Sequence, residues 1–186
     1  VPAGEGAMAA LLGLEIEAAG EVAANAAESE VCAVANDNSP GQIVVSGHRA
    51  AVERAVALGA TRGARRSIML PVSAPFHCPL MAPAAAVVAE ALAEIALLRP
   101  AVPLVSNVTA RPTSDPATIK ELLVEQATRM VRWRETVLFF AREGIEEVVE
   151  IGAGRVLAGL VKRIERTLPA VSVGTPAEVE DLMKRL

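Results

Sequence analysis

The chain has 186 residues, of which 52% are apolar and 22% charged, a composition typical of a folded globular protein. Its formal charge is -4 at pH 7, and only 2% of its residues are aromatic. A nucleic-acid partner is therefore not expected, because phosphate backbones bind basic surfaces and unpaired bases stack on aromatic rings. No apolar run is long enough to cross a bilayer, so no membrane contact is expected either. The two cysteines, Cys32 and Cys78, form no disulfide framework and favour a cytoplasmic location.

The first part of the chain has the pattern strand, helix, strand, strand, helix, strand. Gly59 is predicted to close the second helix, and the segment 36–41 is predicted as a loop because it is dense in turn-forming residues. This order is typical of a ferredoxin-like split unit and indicates a small lobe over residues 1–72. The predicted strands lie at 7–14, 31–34, 43–46 and 66–72, and the predicted helices at 15–29 and 50–58.

From residue 73 onward, strands are separated by helices, which indicates an α/β lobe with a parallel sheet over residues 73–186. Glycines at 152 and 154 predict a tight turn between a strand and a helix that ends near residue 167, with anion binding there as a weaker option. The other helices are predicted at 80–98, 116–128, 133–143 and 176–186, and the strands at 102–108, 147–151 and 171–173.

Two histidines limit the search for acid–base chemistry. His48 follows a predicted strand and is interpreted as a surface turn residue. His77 lies in Pro75-Phe76-His77-Cys78-Pro79, between the two predicted lobes, where ligand clefts form. Residue type alone supports a catalytic and a structural role for His77 equally. A Cys78–His77 nucleophile pair is not expected, because neighbours in an extended segment point to opposite faces. The spacing of the histidines and cysteines predicts no metal site.

Four segments, 36–47, 75–81, 123–133 and 150–157, resemble successive blocks of the malonyl-CoA:acyl carrier protein transacylase family. Their order and spacing agree over essentially the whole chain. The resemblance implies that the ferredoxin-like lobe is inserted into an α/β-hydrolase-like lobe, whose C-terminal part would be residues 73–186. It also implies an active site between the lobes, with no metal or other cofactor.

The resemblance assigns roles to four residues. His77 would be the general base that takes the proton of a serine nucleophile. The backbone carbonyl of Gln126 would orient the imidazole ring. Phe76 would narrow the acyl pocket, which is typical of malonyl-selective members. Asn38 would approach the active site, although a role in making the turn before Pro40 is equally supported.

The chain departs from the family pattern at the nucleophile. No Gly-x-Ser-x-Gly turn occurs in the sequence, and the family's serine, oxyanion glutamine and malonate-binding arginine lie upstream of the block that matches Val1. We therefore expect this chain to be the C-terminal part of a longer enzyme, to need that N-terminal segment as a partner, and to be inactive alone.

The resemblance implies malonyl-CoA and acyl carrier protein as the other partners, with transfer through a serine ester in fatty acid synthesis. Carrier proteins of this kind are acidic, so the cations Arg62, Arg65 and Arg66 form a candidate docking patch. Two alternatives stay open. One is an acyltransferase domain of polyketide synthesis with another acyl group, and the other is a noncatalytic ferredoxin-like binding module.

Overall fold

The computed structural model describes residues 4–185. It forms two compact units, one up to Thr136 and one from Val137 onward. The first unit contains a four-stranded antiparallel sheet and a small antiparallel pair of two-residue strands. The second contains a pair of parallel strands. No helix in the described part of the chain is long and apolar enough to cross a membrane. Because it contains both helices and strands, the protein belongs to the α/β class.

The four-stranded sheet has the order β2-β3-β1-β4, and every neighbouring pair is antiparallel. Its central strand β1 places Ala9 opposite both Val45 and Met69. Two helices connect strands that are not neighbours in the sheet. The elements in chain order are β1 (Gly6–Leu12), α1 (Ile16–Ala27), β2 (Cys32–Ser39), β3 (Gln42–His48), α2 (Arg49–Thr61) and β4 (Arg66–Met69).

The core of the first unit lies between this sheet and its two helices. Leu11, Ile43 and Val45 of the sheet are fully buried and share one cluster with alanines of α1 and α2. Alanine on the packed helix faces lets the helices approach the sheet closely, so the larger sheet residues fill the space between the layers. The buried helix residues in this cluster are Ala19, Val22, Ala23, Ala26, Ala51, Val52 and Ala55.

Two sequence predictions in this region are wrong. The segment 36–41 is not a loop: β2 continues to Ser39, and only Pro40 and Gly41 turn the chain. Its polar residues fit in a strand because the pairing with β3 shifts register twice, between Val34 and Asn36 and between Asp37 and Ser39. Such bulges accommodate an extra residue and redirect the side chains beside it.

The second wrong prediction concerns Gly59. The helix α2 runs past it to Thr61, and the residue that follows with a positive φ is Gly63, at +93°. Gly59 is buried in the helix, where a Cβ atom would lie 3.4 Å from the side chain of Leu11. The glycine therefore serves close packing against the sheet rather than helix termination.

The rest of the first unit contains shorter elements than the sequence predicts. The helix predicted at 80–98 starts as a 3-10 turn and ends at Ala93, and the strand predicted at 102–108 shrinks to two residues. The elements are the 3-10 turn (Pro79–Met81), α3 (Ala82–Ala93), β5 (Leu104–Val105), β6 (Pro112–Thr113), α4 (Pro116–Gln126) and α5 (Trp133–Arg142), the last of which continues beyond Thr136.

The second unit is built on the parallel pair of β7 and β8, which runs in register from Val148 opposite Ala170 to Ile151 opposite Val173. Its core includes Leu160, Val161 and Leu168. The helix α7 begins with a capping box between Thr175 and Glu178. The elements are β7 (Val148–Ile151), α6 (Val156–Ile164), β8 (Ala170–Val173) and α7 (Pro176–Met183).

Candidate active site

His77 lies in an irregular segment that packing holds in an unusual backbone conformation. Its φ is +61°, in the left-handed region that residues other than glycine rarely adopt. On one side Pro75 is fully buried, and on the other the buried Cys78 thiol donates to the Pro75 carbonyl at 3.2 Å. Buried residues on both sides of His77 can maintain such a conformation, and conformations of this kind cluster at functional sites.

The imidazole of His77 is oriented by a backbone carbonyl. Its Nδ1 lies 2.8 Å from the carbonyl oxygen of Gln126. A carbonyl oxygen only accepts hydrogen bonds, so Nδ1 carries the proton and donates it. In the neutral ring the other nitrogen, Nε2, then keeps its lone pair and can accept a proton. The geometry therefore gives His77 the tautomer that a general base needs.

The position of the acceptor carbonyl is set by α4. Asp115 caps the start of this helix by accepting from the Thr118 amide at 2.8 Å. Hydrogen bonds from the side chain and backbone of Thr118 lower the pKa of Asp115. Gln126 is the last residue of the helix, where carbonyls lack an intrahelical partner and are free to accept from a side chain. The side-chain amide of Gln126 donates through Nε2 to the Arg129 backbone carbonyl at 3.1 Å.

The other histidine has the opposite tautomer. The Val31 amide donates to Nδ1 of His48 at 2.9 Å, so Nδ1 of His48 carries no proton. His48 lies at the N-cap position of α2 and joins that helix to the start of β2. This hydrogen bond is structural. The two histidines of the chain thus differ in which ring nitrogen is protonated.

Phe76 and Asn38 are the other two predicted site residues. The Phe76 ring is 39% exposed, and its centroid lies 6.5 Å from that of the His77 ring. Asn38 lies on β2, between the residues of the second register shift, and is half-buried. In residues 4–185 no hydrogen bond joins Asn38 to His77, Gln126 or Phe76. The structure therefore shows direct contacts of His77 with Gln126 and Phe76, and the role of Asn38 stays a prediction.

Sequence reasoning missed an ion pair beside Asn38. The Arg134 guanidinium donates to Asp37 Oδ2 at 2.9 Å, and it also bonds Glu15 at 3.2 Å. The Asp37 side chain is 2% exposed, and its Oδ1 has no hydrogen-bond partner among the described residues. Burial raises the pKa of Asp37 even though Arg134 lowers it. No local pattern signals this pair, because 97 residues separate its two members.

Other groups that could carry chemistry are already occupied or buried. Both cysteines are free and buried, and burial raises the pKa of Cys32 to about 11, which suppresses its thiolate. At the turn before α6, the carboxylate of Glu150 accepts from the Leu157 and Ala158 amides at 3.0 and 2.9 Å, so it occupies the place where an anion would bind. Within the described residues, no group of three or more His, Cys, Asp or Glu could hold a metal ion.

Comparison with known proteins decides the family. The family model for the acyl transferase domain matches residues 2–185. The chain belongs to the acyl transferase domain family. It is 45% identical to the malonyl CoA-acyl carrier protein transacylase of Salmonella typhimurium over 177 residues, which is 95% of this chain and 57% of that protein. The transacylase of Bacillus subtilis is 44% identical over 181 residues, 97% of this chain and 57% of that protein.

Solved structures agree with this assignment. An acyl carrier protein S-malonyltransferase from Vibrio cholerae matches with a TM-score of 0.94 and 46% identity, over 98% of this chain and 60% of that one. A malonyl-transacylase solved in complex with a type II polyketide acyl carrier protein matches with a TM-score of 0.95 and 40% identity, over all of this chain and 60% of that one. The family resemblance carried by the four sequence segments is confirmed. The chain spans somewhat more than half the length of these relatives.

Proposed function

We propose that this chain is part of a malonyl-CoA:acyl carrier protein transacylase of fatty acid synthesis and supplies its general base, His77. The observation that carries the proposal is the 2.8 Å contact between His77 Nδ1 and the Gln126 carbonyl, which leaves Nε2 available as a proton acceptor. The names of the similar proteins support the substrates, since they are malonyl transacylases that act with acyl carrier protein.

The proposed reaction has two half-reactions that use the same proton acceptor. In the first, Nε2 of His77 takes the proton of a serine hydroxyl as its oxygen attacks the thioester carbonyl of malonyl-CoA. The C–S bond then breaks, and the coenzyme A sulfur leaves with that proton as a thiol. In the second, Nε2 takes the proton of the carrier's phosphopantetheine thiol, whose sulfur attacks the malonyl-serine ester. The serine oxygen leaves and recovers a proton.

The serine is proposed to belong to the share of the relatives that this chain does not span, because no Gly-x-Ser-x-Gly turn occurs in its 186 residues. Gln126 would act during both half-reactions. The imidazolium that forms each time bears a positive charge, and a carbonyl that accepts the Nδ1–H stabilises that charge without exchanging a proton. No metal or other cofactor takes part in these steps.

We further propose that Phe76 and Asn38 bind substrate. The partly exposed Phe76 ring next to His77 would limit the room for a branch on the acyl group, although discrimination by one methyl is worth only about 1–3 kcal/mol. The bulge that contains Asn38 would direct its side chain towards the substrate, since β-bulges commonly redirect side chains near active sites.

Residues 1–72 are proposed to form a ferredoxin-like lobe, and residues 73–186 the C-terminal part of an α/β-hydrolase-like lobe. The strand order β2-β3-β1-β4 with antiparallel pairs supports the first assignment, and the parallel pair of β7 and β8 supports the second. The cytoplasm is the proposed compartment, supported by two free cysteines.

Acyl carrier protein is proposed to dock near the exposed side chains of Arg65 and Arg66. Arg62 of the same patch is paired with Glu21 at 3.3 Å, so less of its charge is available to an acidic partner. A role in polyketide synthesis would use the same chemistry with a different carrier, and one structural neighbour was solved with such a carrier. The names of the curated relatives favour the malonyl transacylase over a noncatalytic binding module.

The test of the base is a matched pair of substitutions in the longer enzyme. His77→Asn can keep a donor near the position of Nδ1 but removes Nε2, so malonyl transfer should fall roughly 10²- to 10⁴-fold. His48→Asn keeps an acceptor for the Val31 amide and should leave transfer nearly unchanged. Initial rates of malonyl transfer to the carrier measure both. If His77→Asn transfers malonyl nearly as fast as the unchanged enzyme, as His48→Asn should, His77 is not the general base.

The 186-residue chain alone should form no covalent malonyl adduct, because it lacks the serine turn. Incubation with malonyl-CoA, denaturation and intact-mass measurement test this. A stable adduct on the chain would contradict the proposed serine route and would identify another nucleophile, for which Cys78 is the first residue to check.

A further inference from the structure

The loop that follows the acceptor carbonyl is attached to the edge of the four-stranded sheet. We call residues 127–132 the acceptor loop, because it begins directly after Gln126. Near its end, the Val131 amide donates to the Ala35 carbonyl at 2.8 Å, and the Asp37 amide donates to the Val131 carbonyl at 2.9 Å. The acceptor loop thereby joins the outer edge of β2, the strand that also carries Asn38.

One ion pair fixes this attachment from the side chains. Arg134 lies two residues beyond the acceptor loop, and its Nε donates to Asp37 Oδ2 at 2.9 Å. Asp37 is the first residue of the second register shift, so the pair connects the bulged end of β2 to the start of α5. The two backbone hydrogen bonds and the ion pair together set where the acceptor loop ends relative to the sheet.

The energetics of this ion pair do not favour a purely stabilising role. Asp37 is almost completely buried, and within residues 4–185 its second oxygen, Oδ1, has no hydrogen-bond partner. Removing a carboxylate from water is costly, and the raised pKa of Asp37 indicates that Arg134 does not fully offset that cost. A buried charge that adds little net stability can still specify one geometry among several.

We propose that Asp37 and Arg134 are positioning residues, whose ion pair holds the acceptor loop so that the Gln126 carbonyl stays within hydrogen-bond distance of His77 Nδ1. In the part of the chain that the structure describes, neither side chain has a hydrogen bond to the imidazole, so the pair would act through the loop. Its meaning for catalysis depends on the proposed function, but its effect on the His77 ring does not.

The first experiment uses the 186-residue chain itself and observes its two histidine rings by nitrogen-15 NMR. Asp37→Ala should cause the loss of the protected Nδ1–H signal of His77 and move its ring nitrogens towards the averaged shifts of exchanging tautomers. His48, bonded to Val31 and remote in sequence from the loop, should keep its shifts and serves as an internal reference. Arg134→Met breaks the same ion pair from the other side and should cause the same change at His77. This variant provides the test if Asp37→Ala does not fold.

Two further variants separate positioning from general electrostatics. Glu15→Gln removes a charge that faces the same guanidinium at 3.2 Å but lies on an exposed side chain, and it should leave the His77 ring unchanged. Asp37→Asn keeps the shape and one hydrogen-bond acceptor, so its effect should be intermediate. An unchanged His77 signal in folded Asp37→Ala and Arg134→Met would overturn the proposal, as would an equal change in Glu15→Gln.

The second experiment measures malonyl transfer in the longer enzyme. Asp37→Ala should lower kcat roughly tenfold, the order seen when groups that orient a functional histidine are removed, with a smaller change in KM for malonyl-CoA. If His77→Asn proves fully active, the proposed function fails, whereas the NMR result still decides whether Asp37 positions the ring. If His77→Asn is inactive and Asp37→Ala has an unchanged kcat, the positioning role is refuted.

Discussion

Two stretches of the first unit are both rich in apolar residues but bury them very differently. Within residues 6–69, Leu11, Ile43 and Val45 are fully buried between the sheet and two helices. Within residues 82–104, α3 has no buried residue, and Leu98 and Val102 are 81% and 72% exposed. Apolar composition therefore predicts which segments can be packed, whereas neighbouring elements decide which ones are.

The difference has a physical basis in the helices themselves. α1 and α2 are amphipathic and place their small residues on one packed face. α3 has the sequence APAAAVVAEALA, with one charged residue and apolar side chains around its whole circumference, a pattern typical of helices inside a larger structure. In the described residues α3 packs mainly against α4. The sheet region thus buries its own apolar side chains, whereas the α3 region exposes an apolar surface suited to a partner.

The largest expected effect tests this contrast with one substitution made in both regions. Val45→Ala in the sheet should lower the free energy of unfolding by about 1.5–3 kcal/mol, since it removes fully buried methyl groups. Val87→Ala in α3, where the side chain is 64% exposed, should change it by less than about 0.5 kcal/mol. Chemical denaturation of the chain followed by circular dichroism measures both. Similar losses would mean that α3 is packed in solution.

Much of the fold follows from the sequence because its local signals agree with its long-range contacts. The order of strands and helices over residues 6–69, and the helices that begin at Pro116 and Pro176, are all readable from turn residues and prolines. Predictions failed where a contact distant in sequence decides the outcome. The polar end of β2 stays extended because β3 pairs with it, and Gly59 stays helical because Leu11 packs on it.

The candidate site divides in the same way. His77 is visible in the sequence because it is one of two histidines and lies between prolines. The Gln126 contact uses a backbone carbonyl, which has no sequence signature, so only the family resemblance pointed to it. Asp37 and Arg134 could not be paired from the sequence, because exposed and buried charges look alike there and only the fold brings these two together.

A smaller effect is expected in the second unit, where a carboxylate adds hydrogen bonds between a strand and a helix. Glu150 on β7 accepts from two amides of α6 and from the Ser172 hydroxyl, and these hydrogen bonds lower its pKa. Its contribution to stability should be present at neutral pH and lost as the pH falls through the lowered folded-state pKa, because protonation removes the charge that the amides stabilise.

Glu150→Gln should therefore lower the thermal midpoint at pH 7, and the difference from the unchanged chain should shrink in acid. Glu146→Gln, an exposed carboxylate in the same unit, is the matched control and should have little effect at either pH. Thermal scans at several pH values measure the trend. A difference that persists below the folded-state pKa would mean that the charge of Glu150 is not what stabilises the helix.

The smallest expected effect concerns the region on which the acidic carrier is proposed to dock. Arg65 and Arg66 are exposed at the start of β4, whereas Arg99 is exposed close to the uncovered residue Leu98. In the longer enzyme, reversing Arg65 and Arg66 to Glu should raise KM for acyl carrier protein about two- to fivefold, since each exposed charge contributes little. KM for malonyl-CoA should change less. The effect should fade at high salt, because screening limits an exposed charge to about 8 Å at physiological ionic strength.

Arg99→Glu is the control for a charge reversal outside the proposed patch. If it raises the carrier's KM while the Arg65 and Arg66 reversal does not, the carrier docks beside the uncovered apolar surface and not on the sheet region.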